Sequence, residues 1–131
     1  MGVSYKELIK SIEEIKGLRK NVALDLSGDF EILLALSKSF KKVYTIVNDF
    51  RKAESLNASF KEHGIRNVGI IVSERLPEFD FEFNAVVSFE LMNETDFEKL
   101  KKISDFILLI DKDSYMKGKL RLKSFQGDLK G

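Results

Sequence analysis

Five short apolar runs, separated by stretches of helical spacing, constrain this chain more than any other feature. They are Asn21 to Leu26 (NVALDL), Lys42 to Val47 (KVYTIV), Asn67 to Val72 (NVGIIV), Asn84 to Phe89 (NAVVSF) and Asp105 to Ile110 (DFILLI). Their residues are mostly aliphatic or aromatic, as expected of strands covered on both faces by helices. Strands that alternate with helices through short connections pair in parallel by right-handed crossovers. The expected fold class is therefore α/β, a three-layer α/β/α doubly wound and mainly parallel sheet of about five strands.

The intervening segments carry helix punctuation. Ser4-Tyr5-Lys6-Glu7 reads as a capping box, and Tyr5, Leu8, Ile9, Ile12 and Ile15 follow on one helical face until Gly17. Phe30 to Phe40 is a Leu-rich helix. Asn48-Asp49 open another that runs to His63 with Phe50, Ala53, Leu56 and Phe60 on one side, and Gly64 suits its C′ position. Leu76 to Phe83, with the only proline at Pro77, reads as a loop. Asn93 caps a helix with acids in its first turn and lysines near its end, which matches the helix dipole. The 131 residues make one domain: an N-terminal helix in 1–20, a core in 21–111 and a basic tail or edge strand in 112–131.

Composition removes several chemistries. No cysteine is present, which excludes disulfides and thiolate metal sites, and His63 is the only histidine. A metal site is not expected, and His63 itself reads as a dipole-matched helix C-terminal residue. No apolar run approaches the roughly 20 residues of a membrane span. Residues 1–20 carry glutamates and lysines in place of a signal-peptide core, so a cytoplasmic location is expected. Abundant Lys, Glu and Ile with little Gln resembles thermophile composition.

Charge is unevenly spread. Glu74 to Glu98 holds eight acids and one base, whereas Lys112 to Gly131 holds six bases and two acids. In that tail Lys117, Lys119, Arg121 and Lys123 share one parity, so a strand there would present a basic face. Lysines of this kind keep an edge strand soluble. A basic ribbon for nucleic acid is the competing reading, disfavoured because no aromatic residues are interleaved for base stacking.

In open parallel sheets the ligand sits beyond the carboxyl ends of the strands, beside the point where strand order reverses. The segments that end there are Asp25 to Asp29, Val47 to Asp49, Ser73-Glu74 and Ser88 to Glu90. Val22 to Glu31 (VALDLSGDFE) resembles the first motif of class I S-adenosylmethionine-dependent methyltransferases, an apolar strand with an acid followed by a glycine-rich turn. Val43 to Asp49 is similar to the second strand, which in that family ends in an acid that holds the ribose hydroxyls. Asn67 to Pro77 (NVGIIVSERLP) resembles the third strand and its adenine-side acidic loop, and Ala85 to Met92 (AVVSFELM) the fourth strand and its loop.

The resemblance implies strand order 3-2-1-4-5, S-adenosylmethionine as cofactor, and contacts from Asp25, Ser27, Gly28, Asp29, Asn48, Asp49, Glu74, Ser88 and Phe89. Three alternate glycines of the family's first motif fall here on Ser27, Asp29 and Glu31, with Gly28 out of phase. The acid of the second strand falls on Val47, with Asn48 and Asp49 following. Asp25, Asp29, Asn48 and Asp49 also have a purely structural reading as strand-end acids and helix caps. Nucleotide phosphates prefer free N–H groups and positive charge. A mouth made from Asp29, Glu31, Asp49, Glu74 and Glu90 suits a sulfonium better.

Three functions follow as expectations. One is a methyltransferase, whose catalysis would be weak, partner-dependent or lost. Another is a non-catalytic binding or assembly module on the same fold, with a second copy or another protein at a sheet edge. A third is a flavodoxin-like or receiver domain, for which the third strand ends in Ser73-Glu74 where a phosphoacceptor aspartate is needed.

Overall fold

The computed structural model describes residues 2–90 and 92–129, so Leu91 of the fourth motif and Lys130 of the basic tail lie outside the described residues. Its elements run α1 (Tyr5–Glu13), β1 (Val22–Asp25), α2 (Phe30–Ser39), β2 (Lys42–Val47), α3 (Phe50–Glu62), β3 (Val68–Val72), β4 (Phe83–Phe89), α4 (Glu94–Ile103), β5 (Ser104–Ile110), α5 (Lys112–Met116) and β6 (Leu122–Gln126). The sheet order is β3-β2-β1-β4-β5-β6. The first five strands pair in parallel and β6 pairs antiparallel to β5, from Ile110 opposite Leu122 to Phe106 opposite Gln126. This is the expected doubly wound architecture with its extra C-terminal edge strand.

Neighbouring residues along each central strand point to opposite faces and feed separate cores. Ala23, Val43, Val87 and Leu108 pack beneath α1, α2 and α3, against Leu8, Ile12, Leu33, Leu36, Leu56 and Phe60. Leu24, Val86 and Ile107 point the other way, onto Phe83 and Leu100 of α4. Capping side chains start the helices: Ser4, Asp29, Asp49, Asn93 and Asp111 each accept a first-turn backbone N–H.

The second face is not covered by helices alone. Residues 73–82 connect β3 to β4 without a helix. Phe79, Phe81 and Phe83 alternate with Asp80 and Glu82, so their rings fall on one side of an extended segment. The three rings meet with centroids 5.0–5.5 Å apart, and Phe81 reaches Tyr44 of β2 at 5.4 Å.

The basic tail does not form one strand. Asp111 caps a single turn by accepting from the Ser114 N–H and hydroxyl, and Gly118 reverses the chain at φ 83°. Lys117 and Lys119 therefore fall at a helix end and a turn, and only Lys123 of the four lies within β6. Its ammonium pairs with Glu90 at 3.8 Å.

Candidate functional site

The order reversal lies between β1 and β4, and the turn after β1 is organised from below by one carboxylate. Asp25 is fully buried. Its Oδ1 accepts from the Ser27 N–H (3.1 Å) and hydroxyl (2.6 Å), and its Oδ2 from the Gly28 N–H (2.9 Å) and the Thr45 hydroxyl (2.8 Å) of β2. Burial pushes the Asp25 carboxyl above its ordinary value, against the opposing effect of these hydrogen bonds. The Leu26 N–H donates to Val87 O and the Asp29 N–H to Ser27 Oγ. Every backbone donor from 26 to 29 is thus used within the chain, so an incoming phosphate finds no free N–H in this turn.

Above the turn lies an open cleft of about 370 Å³ between the carboxyl ends of β1, β2 and β3. Gly28, Val47, Asn48, Asp49, Lys52 and Ser73 contribute to its lining. Gly28 takes φ 65°, a left-handed conformation. A Cβ there would touch Val47 Cγ1 and Lys52 Cε at 3.6 Å, so this glycine forms the floor. β2 stops at Val47, and Asp49, two residues on, caps α3: its Oδ1 accepts the Lys52 N–H at 2.8 Å. Among the described residues the Asp49 Oδ2 has no hydrogen-bond partner.

The cleft lining holds one acid, Asp49, and one base, Lys52. Of the acids expected at the mouth only Asp49 belongs to this lining; Asp29, Glu31, Glu74 and Glu90 stand outside it. Lys52 was missed in the sequence, although its place supplied a signal. It is the third residue of the helix that follows β2, and the first turn of such a helix stands over the strand end.

On the other side of the turn Tyr115 fills the space beside Phe89. Asp29 caps α2 by accepting the Ile32 N–H and also accepts the Tyr115 hydroxyl of α5. Tyr115 is buried and packs on Phe89 at 5.6 Å between ring centroids. Burial, and then the Asp29 carboxylate, raise the Tyr115 phenol far above the usual range. Lys112 lies over the Phe89 ring at 5.5 Å. Among the described residues the strand-end surface beside Phe89 is therefore occupied by the chain itself.

The site residues expected from the sequence divide accordingly. Ser27, Gly28, Asn48 and Asp49 line the cleft, and Asp25 holds it from beneath. Asp29 and Phe89 contact Tyr115. The Ser88 hydroxyl donates to Phe89 O at 3.0 Å, and Glu74 is exposed beyond Ser73. His63 caps α3, with Nδ1 2.8 Å from Ser59 O and its ring on Phe30. A second depression, of about 610 Å³, lies between Glu90, Asp111, Arg121 and Lys123. The Ser114 hydroxyl holds the Asp111 carboxyl below its ordinary value. Among the described residues no helix is long and apolar enough to cross a membrane.

No protein-family model and no curated protein sequence matches the chain. Solved structures do. The YcgJ protein from Bacillus subtilis superposes with a TM-score of 0.66 at 18% identity, over 82% of this chain and 49% of its own. A coclaurine N-methyltransferase bound to N-methylheliamine and S-adenosylhomocysteine gives 0.66 at 14%, over 82% of this chain and 34% of its own. An S-adenosylmethionine-dependent methyltransferase from Aquifex aeolicus gives 0.64 at 21%, over 83% and 64%. The fold is that of class I methyltransferases, and the chain spans between a third and two thirds of the length of these three.

Proposed function

We propose that this chain is a methyltransferase-fold binding module that takes the adenosine portion of S-adenosylmethionine or a related nucleoside, with methyl transfer absent or dependent on a partner. One observation carries the reading: the strand-end surface is open over β1–β3 and is blocked beside Phe89, at the end of β4, by the Tyr115–Asp29 contact. The family resemblance assigns ribose to the end of the second strand and adenine to the third. The methionine portion must then run towards β1 and β4, where Tyr115 and Phe89 stand.

The residues fit the nucleoside half. Asp49 offers a carboxylate oxygen to vicinal hydroxyls, the Gly28 floor admits a ring without a Cβ in its path, and Ile46, Val47 and Leu26 supply apolar contact. They do not fit a nucleotide phosphate, since the turn has no free N–H. S-adenosylmethionine supplies an electrophilic methyl group when bound. Among the described residues nothing places an acceptor beside it, so no transfer step is assigned.

Calorimetric titration with adenosine, S-adenosylhomocysteine and adenosine monophosphate tests the reading. Adenosine should bind within roughly tenfold of S-adenosylhomocysteine, a gap of about 1.4 kcal/mol. A hundredfold or larger preference for S-adenosylhomocysteine would mean that the methionine portion is gripped too, and the half-site reading fails. Absence of heat with all three at millimolar concentration would remove the ligand altogether.

A further inference from the structure

The two edges of the sheet are unlike. β6 carries Lys123 and is mostly exposed, the usual protection of an edge strand. β3 (VGIIV) carries no charge and no proline, and all five residues are half-buried. On its inner side it pairs with β2, where Val43 N–H donates to Asn67 O and Ser73 N–H to Val47 O. By strand alternation, residues 67, 69, 71 and 73 direct their peptide groups to β2. Those of Val68, Ile70 and Val72 point away from the sheet.

We infer that β3 pairs antiparallel with β3 of a second copy about a two-fold axis at Ile70, joining the two sheets into one. The sequence around β3 is self-complementary in this register. Arg66 and Glu74 stand four residues before and four after Ile70. With Ile70 opposite Ile70 and Val68 opposite Val72, each Arg66 faces the Glu74 of the other copy, so the pair forms twice. Both side chains are exposed, and among the described residues neither has an ion-pair partner within the chain. An isologous contact requires such a match between one end of a strand and the other.

Gly69 supports the same register. A Cβ there would meet Tyr44 Cδ1 at 3.2 Å, so the position is kept bare beneath the Tyr44 ring. In the inferred pairing Gly69 faces Ile71 of the second copy at a non-hydrogen-bonded position, where opposing side chains approach most closely. The larger residue meets the bare one on both sides of the axis. The inference is independent of what the cleft binds.

Sedimentation of the whole chain and of three variants tests it. The wild type should show a monomer–dimer equilibrium that weakens with salt, since its end pairs lie at the solvent rim. Arg66→Glu and Glu74→Arg each oppose like charges twice and should weaken the dimer roughly tenfold or more. The double variant Arg66→Glu/Glu74→Arg restores both pairs in reversed polarity and should recover dimerisation. All three should keep the wild-type circular dichroism, because neither residue is buried. A wild type that stays monomeric up to about 1 mM, where association is worth only about 4 kcal/mol, overturns the inference. Single reversals without effect, or a double variant that fails to recover, overturn it too.

Discussion

The phenol of Tyr115 donates to the carboxylate of Asp29, joining positions 86 residues apart and pinning α5 to the first turn of α2. The contact does two things. It adds a second donor to the acid that caps α2, and it blocks the strand-end surface beside Phe89 at the end of β4. Because burial and Asp29 raise the phenol's pKa, Tyr115 keeps the proton it donates well into the alkaline range.

Tyr115→Phe should cost about 1.5–3 kcal/mol at neutral pH, the worth of a hydrogen bond to a charged acceptor. The pH dependence has a definite sign. A folded-state pKa above the unfolded one gives stability that is complete below the unfolded value, about 10 for a phenol, and is lost as pH rises through the folded value. The stability gap between wild type and Tyr115→Phe should therefore narrow above about pH 10. Ultraviolet difference titration of the two proteins checks the cause: no tyrosinate signal from Tyr115 should appear before unfolding.

Tyr115→Ala goes further and opens the β4 side. Truncating a buried aromatic ring costs about 3–5 kcal/mol, so the variant is best measured at low temperature. Its S-adenosylhomocysteine affinity should rise relative to adenosine. An unchanged ratio in a folded variant would show that Tyr115 does not stand in the way of the methionine portion.

Asp25 makes a prediction of the same sign in the acid range. Its folded pKa is raised, so its contribution is complete below the unfolded value, about 4, and declines as pH rises through the folded value. Asp25→Asn removes this titration and turns one amide donor towards either the Gly28 N–H or the Ser27 donors, leaving a buried donor unmet at about 1–3 kcal/mol. The stability difference between wild type and Asp25→Asn should be largest near pH 4 and shrink towards neutrality. Chemical denaturation at several pH values reads it directly.

Two glycines should respond in a fixed order. Gly28→Ala has room, with nothing closer than 3.6 Å, and pays only for its positive φ, about 1–2 kcal/mol. At Gly127 a Cβ would lie 2.0 Å from Ser104 O, beside the Gly127 N–H to Asp105 O bond that seats the end of β6. Gly127→Ala must displace backbone and should cost more than Gly28→Ala. Hydrogen exchange should locate the loss in β6, with β1 to β3 unaffected.

The periodicity of hydrophobic residues carried nearly all of the fold. Runs such as NVALDL and KVYTIV allow few alternatives once helices separate them, and Ser4, Asp29, Asp49 and Asn93 cap where their residue types suggest. The tail was less legible because alternation over Lys117 to Ser124 looks the same whether or not a turn interrupts it. What interrupts it is local: the Asp111–Ser114 cap and Gly118. The site was half legible. The strands end where the sequence places them, but which side chains share a cleft there depends on helix direction and on a contact between Asp29 and Tyr115 that no local pattern announces. The charge of the cleft changes with one residue, Lys52, which comes from the first turn of α3 and so lies outside the strand-end segments.

Lys52 supplies the sharpest test of the cleft's electrostatics. S-adenosylmethionine carries a sulfonium charge that S-adenosylhomocysteine lacks, while the adenosine portions are the same. A lysine in the lining opposes the first ligand and leaves the second nearly unaffected. At separations of several ångströms and effective dielectric constants between about 20 and 80, the repulsion is of order 1 kcal/mol. Lys52→Ala should therefore shift relative affinity towards S-adenosylmethionine by about fivefold, and Lys52→Glu by more. Both shifts should fall in high salt, because the cleft is open to solvent. The Asp49 cap uses the Lys52 backbone N–H, so these substitutions leave it in place. If the ratio of the two affinities does not move, the ammonium does not face the ligand, and the neutral, mixed-charge cleft described above is not where the sulfonium lies.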